Sequence, residues 1–234
     1  MERLLNELVD RLRRDYGETL ISVVLYGSAA SGEFHEKFSD LNVLVVLKQL
    51  GVRELALGRE TVRWWQKQKQ PLPLLLAREE VENSSDVFPV EFLDIQHNHR
   101  VLHGEDVVAK FSIDTHDHRR QVEHELRAAL LRLRGRFLGL QQDKSDVARL
   151  MLDSISTFAT LFRHALILAG GAAPVKKHEI FRAAAEKFSI SAEPFENLLV
   201  AREQNRKLAD EEIQPLFEAY LAEITRMAEA VDKL

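Results

Sequence analysis

Two short apolar runs, Leu20–Tyr26 and Leu41–Leu47, constrain the fold more than anything else in this chain. The first reads Leu20-Ile21-Ser22-Val23-Val24-Leu25-Tyr26 and lies between Gly17 and Gly27. The second reads Leu41-Asn42-Val43-Leu44-Val45-Val46-Leu47. Both are short, rich in β-branched residues and nearly continuous in their apolar character, which is the pattern of strands buried on both faces. A sheet with such strands needs helices packed against it.

The flanking sequence supplies them. Residues 2–16 place Leu4, Leu5, Leu8, Val9 and Leu12 on one helical stripe that ends at Gly17. Residues 52–69 read as one helix, stopped before Pro71 and Pro73. Leu72–Ala77 reads as a third strand and Val87–Gln96 as a fourth, with Pro89 near its start, where proline is tolerated. Val101–Gly104 closes this region.

Beyond about residue 115 the pattern is helical throughout. One helix covers about 119–140. A second carries Val147, Met151, Ile155, Phe158, Phe162 and Leu166 on one face and stops at Gly170-Gly171. A third follows Pro174 as far as about Phe188, a fourth covers about 192–207, and the last runs from about Asp210 to the C-terminus. Short connections between such helices favour an antiparallel bundle. The expected fold is therefore α+β: a mixed sheet with flanking helices over residues 1–110, then an all-α antiparallel helical bundle over 111–234.

Composition excludes several functions. With no cysteine among 234 residues, disulfides, thiolate zinc sites and cysteine nucleophiles are ruled out. The net charge of -5 argues against a general nucleic-acid binder, which needs a broad basic field. No apolar run approaches the ~20 residues that span a bilayer, and the charged, amphipathic start Met1-Glu2-Arg3-Leu4-Leu5 is unlike a signal peptide. A cytoplasmic protein with no membrane partner is expected.

The chemistry concentrates between the two strands. The first ends in Tyr26-Gly27-Ser28, and ten residues later Ser39-Asp40-Leu41-Asn42 opens the second. Glycine lets backbone N–H groups approach an anion closely, and serine adds a hydroxyl donor. Strand periodicity puts Asp40 and Asn42 on one face, where two oxygen-bearing side chains can share a hard cation such as Mg²⁺. A phosphate-cradling loop beside a Mg²⁺ site is what transfer from a nucleoside triphosphate requires.

On these residues the chain resembles the nucleotidyltransferase superfamily, of the kanamycin nucleotidyltransferase and DNA polymerase β type. That pattern is Gly-Ser, roughly ten residues, then Asp-x-Asp, with a third carboxylate on a later strand; Gly27, Ser28 and Asp40 match it. The resemblance spans about residues 18–105 and implies a nucleotidyltransferase-like fold, with nucleotide and Mg²⁺ between the two domains. It implies that Gly27 and Ser28 hold the β- and γ-phosphates of an NTP, ATP by preference. It implies that Asp40, Asn42 and Glu91 are metal ligands, with Asp40 and Glu91 catalytic. The acceptor would be a hydroxyl on a small molecule or a protein.

One position departs from the pattern. Asn42 stands where the superfamily carries its second aspartate. An asparagine carbonyl can ligate Mg²⁺ but brings no charge, so metal binding and activation of the attacking hydroxyl should weaken. A second reading follows: a catalytically silent nucleotide-binding or regulatory module, working as a homodimer or beside a partner protein. The third carboxylate is Glu91 or Asp94, which on a regular strand would face opposite ways. Glu91 is preferred because it lies inside the expected strand.

Other constellations have plainer readings. His97, His99 and His103 could chelate a metal but read better as a solvated strand end, and His116 and His118 as a helix entry. His35 reads as an exposed loop residue. Arg119 and His124 echo an Arg-x4-His ribonuclease signature, which would also need a basic RNA-binding face. Arg127, Arg132, Arg134, Arg136 and Lys144 could meet an anionic substrate or pair with Glu123 and Glu125. Lys176, Lys177 and His178 sit at a helix start, where positive charge is disfavoured unless an anion is near.

Overall fold

The computed structural model describes residues 1–30, 41–140, 144–171 and 173–234. Asp40 and His35, and the side chain of Ser28, lie outside what it describes. The contacts divide the chain into two units, Met1–Asp114 and Thr115–Leu234.

The first unit opens with α1 (Glu2–Tyr16), which buries Leu5, Leu8, Leu12 and Tyr16 and stops at Gly17 with φ 52°. Then come β1 (Leu20–Tyr26), β2 (Asn42–Leu47), α2 (Val52–Leu57), α3 (Arg59–Lys67), β3 (Leu74–Ala77), α4 (Arg78–Asn83), α5 (Pro89–His97) and β4 (His99–Gly104). The sheet order is β3-β2-β1-β4. β1 is antiparallel to both β2 and β4, and β2 is parallel to β3. The mixed sheet with flanking helices is as the sequence predicts.

The two central strands are buried on both faces. Val23, Leu25, Val43, Val45 and Leu47 pack against α1 and Trp65 of α3. Ile21, Val24, Leu44 and Val46 pack against Val81, Phe92, Ile95 and Phe111 on the other side. Burying apolar side chains of this size stabilises by roughly 1.5–3 kcal/mol each before entropy is charged against it.

Three local expectations change. The helix expected over 52–69 is two helices meeting at Gly58, where only glycine fits: a Cβ there would lie 2.0 Å from the Tyr16 hydroxyl oxygen. The third strand begins at Leu74, after Pro73, whose missing N–H suits it poorly to a ladder. Val87–Gln96 is not a strand. It holds helix α5, with Pro89 in the first turn, where proline fits a helix as readily as it fits a strand start. Phe92 and Ile95, three apart, are both buried against the sheet, a helical rather than an alternating spacing. The fourth strand is the next segment, His99–Gly104.

The second unit is helical: α6 (Thr115–Gly139), α7 (Lys144–Leu168), α8 (Lys177–Phe188), α9 (Glu193–Glu203) and α10 (Asp210–Val231). Its core is aromatic. Phe181 and Phe195 stack with centroids 4.4 Å apart, and Phe162 meets both edge-on. The Tyr220 hydroxyl, held far above the usual phenol range by burial, lies 2.9 Å from Ser154 Oγ.

Candidate functional site

β1 runs out at Tyr26, and the backbone turns at Gly27 with φ +78°, a conformation that costs any L side chain. The Gly27 N–H donates to the Asn98 carbonyl at 2.9 Å, and its own carbonyl accepts from Ala30 N–H at 2.9 Å, closing a 3₁₀ turn over Gly27–Ala29. The Gly27 amide is thus spent inside the fold. What this glycine gives the site is its backbone angle and its missing side chain. A turn this short leaves the amides of Ser28 and Ala29 without an acceptor inside it.

Asn42 begins β2 directly opposite Tyr26. A Cβ on Gly27 would stand 3.3 Å from Asn42 Nδ2, so the amide group lies against the turn. The entry to β2 is anchored by Leu41 N–H donating to Gln70 Oε1 at 2.9 Å. On the other side of Tyr26, the register places His99. Tyr26, Asn42 and His99 therefore occupy one face at one end of the sheet, the face that α5 covers.

Glu91 stands in the first turn of α5, exposed rather than inside a strand. It nevertheless acts at this end of the sheet: burial pushes the Tyr26 phenol above its ordinary value, and the Glu91 carboxylate raises it further. Asp94 follows three residues later on the same helix, half-buried. On a helix, residues three apart share a side, so the opposition expected of a strand does not apply. The structure brings Gly27, Asn42 and Glu91 to the same end of the sheet, with Tyr26 between them. Sequence reasoning passed over Tyr26, although it is the last strand residue before the Gly-Ser turn.

The remaining sequence candidates separate. His97 is on α5, 2.8 Å from the Leu93 carbonyl, while His99 is on β4 beside Asp106, so they share no strand face. His118 lies in the first turn of α6, as expected of a helix entry, and is buried, with its ring nitrogen 2.9 Å from that of His164. Asp114, His116 and Asp117 have ligand atoms within 4.8 Å of one another, but two of the three are exposed. Arg119 pairs with Glu123 and His124 lies beside Glu125, each on its own neighbour rather than on the other. Arg127 bridges Glu123 and Asp232, and Arg132 faces Glu125.

Residues 5–103 match the family model of the nucleotidyltransferase domain. The first unit is similar to a nucleotidyltransferase domain over those residues. The fold extends beyond it: the spectinomycin adenyltransferase AAD(9) from Enterococcus faecialis, solved with ATP and spectinomycin, matches at a TM-score of 0.63. That match covers 97% of this chain and 99% of the other at 16% identity, so the helical unit belongs to the shared architecture as well. A toxin–antitoxin structure with AMP-PNP covers 45% of this chain and 82% of its own at 18% identity, with a TM-score of only 0.32. No curated protein matches the sequence. Within the matched residues, the Gly27 turn and the start of β2 lie at one end of the sheet.

Proposed function

We propose that this protein transfers a nucleoside monophosphate from an NTP, ATP by preference, to a hydroxyl acceptor, releasing pyrophosphate. The observation that carries this reading is the packing of Asn42 against the Gly27 turn in a chain whose residues 5–103 match a nucleotidyltransferase domain. The turn would take the phosphates through the amides that follow Gly27 and the Ser28 hydroxyl. Asp40, Asn42 and Glu91 offer oxygen donors only, a set that suits Mg²⁺ rather than a softer metal. Bound Mg²⁺ would supply charge stabilisation of the triphosphate. Glu91 would orient or deprotonate the acceptor hydroxyl. The Tyr26 phenol, kept protonated by its surroundings, would be a hydrogen-bond donor at the same end of the sheet.

AAD(9) binds ATP and spectinomycin in its crystals. By analogy the acceptor here is a small molecule, and its identity is set by residues outside the motif. A cytoplasmic setting fits the reading, and no helix among the described residues is long and apolar enough to cross a membrane.

The test is pyrophosphate release from each of the four NTPs, with and without Mg²⁺, for the unmodified protein and for Asn42→Asp. Restoring the charge should tighten Mg²⁺ binding about tenfold or more, ~1.4 kcal/mol, and raise turnover. Asn42 itself favours the second reading, a silent nucleotide-binding module that works as a dimer or beside a partner. That reading gains if nucleotide binds equally well with and without Mg²⁺ in both forms and no pyrophosphate appears.

A further inference from the structure

The chain enters β2 through Leu41, the residue between Asp40 and Asn42 in sequence, and Leu41 is 1% exposed. A backbone N–H buried this deeply needs an acceptor. The ladder with β3 does not reach it. That register begins with Leu44 opposite Leu74, and the residues before it, Pro71-Leu72-Pro73, include two that have no N–H to continue a ladder. The acceptor is a side chain instead, Gln70 Oε1 at 2.9 Å.

The short strap that carries Gln70 is fixed from several directions. Lys69, just past the end of α3, turns the chain in the left-handed region at φ 59°, a costly conformation for a side chain of that kind. Gln70 and Leu72 each precede a proline, which holds their backbone extended. The indole N–H of the fully buried Trp65 donates to the Pro71 carbonyl at 2.8 Å and ties the strap to α3. The Gln70 amide is used at both ends. Its Nε2 donates to the Gln68 carbonyl at 3.4 Å, so the oxygen is the end that meets Leu41. A strained residue, two prolines and a buried indole thus deliver one amide oxygen to one peptide N–H.

That N–H belongs to the peptide group joining Asp40 to Leu41, and the next residue is Asn42, whose amide stands against Gly27. Asn42 is therefore held from two sides. Its register opposite Tyr26 fixes it on β1, and Gln70 fixes the preceding peptide group.

We propose that Gln70 is a positioning residue for the metal end of the site, acting through the Leu41 N–H on the strand entry that carries Asn42. The inference rests on the metal-ligand part of the reading above. It does not depend on turnover. A group one hydrogen bond behind a metal ligand typically governs metal affinity by about 10- to 100-fold.

The experiment titrates Mn²⁺, an oxygen-preferring ion that broadens nearby NMR signals, into the full-length protein and follows the backbone amides of Gly27 and Asn42. Gln70→Met keeps the length of the side chain and removes the acceptor. It should weaken Mn²⁺ binding at least about tenfold and speed hydrogen exchange of the Leu41 N–H. Gln70→Glu keeps an oxygen at that position and should restore both. The urea midpoint, read from tryptophan fluorescence, follows stability separately. A merely structural hydrogen bond predicts that Gln70→Met lowers the midpoint and leaves the Mn²⁺ affinity of the folded protein unchanged, and that result overturns the proposal. So does a Gln70→Glu protein that binds Mn²⁺ as poorly as Gln70→Met, or an unmodified protein in which Mn²⁺ broadens neither amide. Failure of the transfer reading gives a different pattern: Mn²⁺ binds beside Gly27 and Asn42, Gln70→Met weakens it, and no NTP yields pyrophosphate.

Discussion

Replacing Gly27 by alanine perturbs the turn in two separable ways. Its φ of +78° lies in the left-handed region, where an L residue costs roughly 1–2 kcal/mol. The new Cβ would also stand 3.3 Å from Asn42 Nδ2, close enough to push the amide by a few tenths of an ångström. Alanine recovers about 0.4–1 kcal/mol by narrowing the unfolded ensemble. The amide is the end of a side chain that can rotate, so the backbone angle should dominate, leaving a net loss of about 0.5–1.5 kcal/mol. Both tryptophans, Trp64 and Trp65, lie on α3, so intrinsic fluorescence during urea unfolding reads the first unit selectively. Three variants separate the causes. Gly27→Asn should be milder than Gly27→Ala, because asparagine tolerates the left-handed region despite its bulk. Gly27→Ala in an Asn42→Ala background should keep most of its cost. If the double variant regains full stability, or if Gly27→Asn is the more damaged, the contact with Asn42 dominates and the reasoning from backbone angle is wrong.

Other outcomes follow from the same unit. The Tyr16 hydroxyl is buried without a hydrogen-bond partner among the described residues, so Tyr16→Phe should raise stability by about 1 kcal/mol, read from the urea midpoint. Gly58→Ala should lower it by more than Gly27→Ala does, since the added carbon would lie 2.0 Å from that hydroxyl and 2.9 Å from the ring carbon bearing it. The Gln49 amide and the Gly51 N–H hold the Glu54 carboxyl below the usual range. A depressed carboxyl stabilises the fold above its ordinary titration and loses that contribution as pH falls through its folded value. Glu54→Gln should therefore flatten the acid limb of the first unit's stability curve, measured by the same fluorescence. In the second unit, Arg202→Gln should raise the Lys177 titration toward that of an ordinary lysine, as followed by NMR.

The central strands were legible because burial on both faces leaves a continuous apolar run, and its shortness, β-branched residues and flanking glycines separate it from a buried helix. The Gly-Ser turn was legible because a left-handed backbone angle leaves few residue choices. Val87–Gln96 was misread for a physical reason. Proline at its start permits either element, and the run Val90-Glu91-Phe92-Leu93-Asp94-Ile95 mixes apolar and acidic residues without a clean period of two. That missing alternation was the available signal for α5. The need for glycine at position 58 could not be read locally, since it comes from the close approach of Tyr16, which is remote in sequence. Lys177 of α8 and Arg202 of α9 both donate to the Ser156 hydroxyl oxygen of α7, a contact among three helices, so the sequence could show only that the charge at the start of α8 was out of place.

Asn42 bears on more than metal affinity. Each carboxylate at a triphosphate site attracts Mg²⁺ but repels the nucleotide's phosphates when no metal is present. An asparagine keeps the oxygen donor and adds an N–H donor while removing one of those repulsions. Its amide already lies against the turn that would hold the phosphates. The unmodified protein should therefore bind ATP with a weaker dependence on Mg²⁺ than Asn42→Asp. Calorimetry of both proteins, with the metal and with a chelator in its place, measures that difference. A larger Mg²⁺ dependence in the unmodified protein would mean that Asn42 is not acting through charge at all.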